Sequence, residues 1–87
     1  MDLLHAYRIL VAYSRAVERA GEGPAPEPGP TVRLAEAAIK AALEHGGVEA
    51  LVEAGIPREW AEREEAALQA EKEWQRYLEH LSKPVQE

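Results

Sequence analysis

The chain has no cysteine. That excludes disulfides, thiolate nucleophiles and cysteine metal sites, and it fits a reducing cytoplasm. Phenylalanine and asparagine are missing as well, and Ser14, Thr31 and Ser82 are the only hydroxyls besides the tyrosines. No long apolar run exists either. Arg8 and Arg15 interrupt the first candidate, so no membrane span of about 20 apolar residues is expected. The same segment opens with Asp2 and has no basic stretch before its apolar part, so it does not read as a signal peptide. Positive charge is also scarce, with 16 acidic residues against 10 basic and a formal charge of −6. Nonspecific nucleic-acid binding draws on a positive field, and the summed field here has the wrong sign.

Ala, Glu, Leu and Arg dominate what is present, which is the vocabulary of helices. With prolines gathered in one connection, the composition is thermophile-like, although a GC-rich coding bias would give a similar list. A length of 87 residues implies one domain, 1–87. A chain of that size buries only about 60–65% of its unfolded surface, so its stability depends on good packing or on a partner.

The spacing predicts a first helix over 2–20. Leu3, Leu10 and Val17 stand seven apart, with Ala6, Tyr7, Tyr13 and Ser14 between them, Asp2 as N-cap and Gly21 as stop. Residues 21–30, GEGPAPEPGP, read as an extended connection reaching up to roughly 31 Å at about 3.1 Å per residue. Its prolines alternate with other residues, so no PxxP docking pair forms. Thr31 can cap a second helix over 32–45, with Val32, Ala35, Ile39, Ala42 and Leu43 inward and Glu36, Lys40 and Glu44 outward. Gly46-Gly47 is expected to end it, and a short helix over 48–54 follows, closed by Gly55. The last helix, 57–82, is the longest. Trp60, Ala67, Trp74 and Leu81 recur along it at seven-residue intervals, joined by Leu68, Ala70, Tyr77 and Leu78. Pro84 stops it, leaving a short polar tail at 83–87. The expected fold is therefore all-α: a small bundle of three main helices plus one short helix, with the first and last packed antiparallel.

The turn AGIPREWAERE resembles the joint of a helix-turn-helix DNA reader, whose second helix meets base edges. Over 57–65, however, Arg58 and Arg63 stand against Glu59, Glu62, Glu64 and Glu65, a net −2 that phosphate repels. The i,i+4 pairs Arg58–Glu62 and Glu59–Arg63 also occupy both arginines. A helix ended by Gly and restarted by Pro is the ordinary grammar of a helical hairpin.

No chemistry stands out elsewhere. A di-iron bundle needs Glu-x-x-His, but Ala42 and Tyr77 occupy the positions three before His45 and His80. These two histidines suit helix C-termini, and no metal or cofactor is expected. Ser14 has no His or Asp at helical spacing, while Ser82 and His80 point apart at i,i+2. No Gly-rich phosphate loop occurs. The chain does not read as an enzyme.

Two features remain. Arg8, Arg15 and Arg19 share one face of the first helix, where they could clamp phosphate or an acidic partner, or form a charged rim of salt bridges to the acidic last helix. Trp60, Trp74, Tyr77, Leu78 and Leu81 load the last helix with apolar surface. At about 1.5 Å per residue that helix spans roughly 39 Å against roughly 28 Å for the first, so one end must overhang. An overhang with aromatic residues calls for a cover, of which a second copy is the simplest. Whether Trp60 or Trp74 is core or interface stays open. The expected role is a cytoplasmic protein-interaction or assembly module, self-associating through the last helix or binding another protein. The alternative is an accessory protein of a nucleic-acid complex using Arg8, Arg15 and Arg19.

Overall fold

A computed structural model describes residues 1–82; Pro84 and the tail over 83–87 lie outside the described residues. Three helices make up the fold: α1 (Leu3–Ala20), α2 (Pro30–Glu53) and α3 (Arg58–Ser82), with no strand among the described residues. The protein is an all-α bundle.

α1 starts after Asp2, whose carbonyl accepts from the Ala6 amide while its side chain caps nothing. It ends at Gly21, where a φ of 56° reverses the chain at low cost only for glycine. α2 begins at Pro30, two residues before the expected start at 32, so Thr31 is not its cap. Gly29 is its N-cap and Pro30 its first residue, where proline's fixed φ is already helical and its missing N–H is not needed. Gly47 adopts φ 69°, ψ −165°, outside the helical region, so helical geometry breaks at the expected glycine pair. A second helical limb follows at once and runs to Glu53, close to the expected short helix over 48–54, and the two limbs are described together as α2. α3 then starts after Gly55, at φ 99°, and Pro57, with the Gly55 and Ile56 amides donating to the Val52 and Leu51 carbonyls.

The core consists of Ala6, Ala35, Ile39, Leu43, Leu51, Ile56, Ala61 and Leu68. No polar or charged residue is buried among the described residues. Three fully buried alanines, one from each helix, hold the backbones close where larger side chains would part them. α2 is the central element and packs against both neighbours. The first and last helices meet only through side chains, since no Cα of α1 lies within 8 Å of one in α3. Their junction is Tyr7 and Trp60, edge to face with centroids 4.9 Å apart. The connection between α1 and α2 is tied back by one hydrogen bond, in which the Tyr13 hydroxyl donates to the Pro26 carbonyl at 2.8 Å.

Candidate functional site: the free face of the long helix

Two lines of residues run along α3, and they change character at the same level. The first line faces α2. Ala61 and Leu68 are buried there, and Lys72 lies 3.8 Å from Glu44 of α2. At about 100° per residue this line continues through Gln75, Glu79 and Ser82, all exposed and polar. It loses its apolar residues where α2 stops covering it. No residue of α3 beyond Leu68 is buried.

The second line lies roughly 150° round the helix. It opens with Trp60, partly buried against the core and against Tyr7. Arg63 and Glu64 come next, sharing a hollow with Val11, Ser14, Arg15 and Glu18 of α1. Beyond Leu68 no residue of α3 is buried, yet this line becomes more apolar. Exposed Ala67 and Ala70 lead to Trp74, Tyr77, Leu78 and Leu81, which are 55%, 53%, 39% and 60% exposed. Spacings of three, four and seven put these last four on one stripe. Trp74 and Tyr77 stack on each other, centroids 5.7 Å apart and planes 29° apart, and so present one continuous aromatic surface.

Of the residues expected at an interface, the structure therefore brings Trp74, Tyr77, Leu78 and Leu81 together and sets Trp60 apart. Trp60 belongs to the chain's own packing. Arg8, Arg15 and Arg19 are exposed on α1, and the expected bridges from them to α3 do not form among the described residues. Only Arg15 borders the hollow facing Trp60 and Glu64.

The helix-turn-helix joint is closed by an ion pair that local spacing did not reveal. Arg58 donates to Glu49 through both terminal nitrogens, at 2.7 and 3.2 Å, instead of reaching Glu62. The hydrogen bond and charge of Arg58 hold the Glu49 carboxyl below its usual range. The pair spans the Gly55 turn from α2 to α3 and takes up the first arginine that a DNA reader would need.

A cleft of about 470 Å³ lies between the helices, lined by Leu10, Ile39 and Leu68 with Arg33, Glu36, Lys40, Glu64 and Glu71 at its edges. Partial burial raises the Glu64 carboxyl pKa; Arg63 opposes the rise and Glu36 adds to it. Among the described residues no three His, Asp or Glu side chains gather as a metal site, and no helix is long and apolar enough to cross a membrane.

The fold and this surface define a small three-helix domain with an apolar helix face left exposed among the described residues. No protein-family model, curated protein or solved structure matches the chain, so nothing known of a relative bears on what covers that face.

Proposed function

We propose that the protein is a non-catalytic assembly module, acting in the cytoplasm, that associates with itself through the second half of α3. The observation that carries this reading is the contrast between the two lines of α3. The line toward α2 turns polar where its cover ends, whereas the other turns aromatic where its cover ends. An overhang serving only as a solvated extension has no reason to gain Trp74, Tyr77, Leu78 and Leu81 on one stripe. Monomers seldom leave such patches open, and aromatic residues are favoured anchors at the centre of protein interfaces.

The direct test is absolute mass by light scattering over a hundredfold concentration range, at low and high salt. A dimer that persists in high salt is the expected result, because apolar burial is not screened. A monomer at every concentration removes self-association and leaves the stripe to a different protein.

A second reading draws on a separate observation: Arg8, Arg15 and Arg19 are exposed on one face of α1 and have no ion-pair partner among the described residues. That face would suit an accessory protein of a nucleic-acid complex. Salt discriminates the two readings, since phosphate contacts weaken steeply with ionic strength.

A further inference from the structure

Resting on the self-association reading, we propose that the covering copy runs antiparallel over residues 69–82, with Trp74 of each copy against the partner's Tyr77 and Glu73 of each beside the partner's His80. Steric, charge and shape arguments converge on this arrangement.

The steric argument comes from α1. A parallel partner helix following the stripe toward the start of α3 would run along the line through Arg63 and Trp60. Tyr7 already packs on Trp60 there, and Val11, Arg15 and Glu18 border the same line. The partner helix and α1 would compete for one groove. In the antiparallel overlap the partner's Ser82 lies level with Gln69, short of that groove, and the two bundle bodies sit at opposite ends.

The charge argument comes from the edges of the stripe. Glu73 and His80 are seven residues apart and border the stripe on the same side. Antiparallel pairing brings each beside the other's counterpart, twice by symmetry. Among the described residues, the charged groups around His80 are then Arg76 and Glu79 of its own helix and Glu73 of the partner subunit. A parallel pair would set Glu73 beside the partner's Leu78 and form no opposite-charge contact along that edge. Shape agrees, because antiparallel pairing lays the large Leu81 over the partner's small Ala70, both exposed in the single chain.

The test uses the absence of cysteine. Gln69→Cys and Ser82→Cys each give one unique attachment point for a nitroxide label, and spin–spin distances are read together with the mass of each labelled protein. For an antiparallel pair, a rise of about 1.5 Å per residue and an interaxial distance of about 9 Å give label-site separations near 21 Å at both positions. Separations near 10 Å at both positions, with a dimeric mass, overturn the orientation while leaving self-association standing. A dimeric mass with no coupling in this range at either position places the interface elsewhere and overturns both readings, as does a monomeric mass. Charge reversal supplies an independent readout. At pH 6 and low salt, His80→Glu is expected to weaken the dimer on the order of tenfold, and Glu73→His in the same chain is expected to restore it. No weakening by His80→Glu overturns the edge pairing.

Discussion

Replacing Trp74 by alanine separates folding from association in one experiment. Trp74 lies two turns beyond Leu68, the last buried residue of α3, and its ring stacks only on Tyr77. Its removal should leave the unfolding temperature of the isolated chain within about 4 °C of the parent, the ordinary range for an exposed site. Association should respond very differently. With large aromatic side chains presenting 150–250 Å² each, the exposed parts of Trp74, Tyr77, Leu78 and Leu81 come to roughly 400 Å² per copy. At about 25 cal/mol/Å² that is a gross gain on the order of 20 kcal/mol for two copies, before an association cost of about 4–15 kcal/mol. Trp74 accounts for about a third of the stripe, so its loss from both copies removes about 6 kcal/mol gross. A dimer of this modest size should then vanish at any micromolar concentration. Sedimentation velocity reads the mass, and circular dichroism at low concentration reads the fold. Leu68→Ala is the control with the opposite profile, expected to cost about 2–5 kcal/mol of folding stability. An isolated chain destabilised by Trp74→Ala as strongly as by Leu68→Ala would refute the separation of the two halves of α3. An undiminished dimer would refute the stripe as its seam.

Three further expectations concern the monomer. Because partial burial raises the Glu64 pKa, its protonated form is favoured by folding, and the associated stability is present at low pH and lost as pH rises through the folded value. Glu64→Gln should therefore raise the unfolding temperature at pH 7 and have little effect near pH 3, as measured by thermal scans at both. The Glu49 pKa is lowered by Arg58, so its carboxylate favours the fold above the unfolded pKa and loses that advantage as pH falls through the folded value. Arg58→Ala should return the Glu49 carboxyl titration toward its ordinary range by NMR, with little change in stability because the pair is exposed. Gly47→Ala should destabilise by about 1–3 kcal/mol in denaturant titrations, since a Cβ there meets no atom yet the backbone holds φ 69°, ψ −165°, a region essentially reserved for glycine.

The periodic apolar positions of α2 were legible in the sequence because Ala35, Ile39 and Leu43 are spaced for one face and are buried on it. Gly21 was legible as a stop for a local reason, the reversal of φ. Other features depended on partners distant in the chain. Trp60 and Trp74 occupy the same heptad line, and packing against Tyr7 of α1 partly covers the first while the second stays open. Arg58 has an acceptable partner four residues on, but the Gly55 turn brings Glu49 closer in space. The Gly46-Gly47 pair carries the signature of a helix end, and the backbone does leave helical geometry at Gly47; helix resumes at once beyond it, and Leu51 and Ile56 reach the core. Fully buried Ala61 escaped notice because a methyl group gives little contrast in an alanine-rich chain, whereas Ala6 was legible on the face shared by Leu3 and Leu10.

The second half of α3 has a consequence for how association would be regulated. Beyond Lys72 no residue of it is buried and no ion pair ties it to another element among the described residues, and a helix of about that length is marginal in water by itself. It needs no nucleus of its own, because the packed turns from Arg58 to Leu68 already supply one, so its end can melt and regrow one turn at a time. The stripe is whole only when those turns are wound. If the stripe is the seam, affinity would be set partly by the helix–coil equilibrium of exposed residues such as Gln75 that lie off it. A glycine at Gln75 would shift that equilibrium by about 1 kcal/mol per copy and loosen the pair from its solvent side.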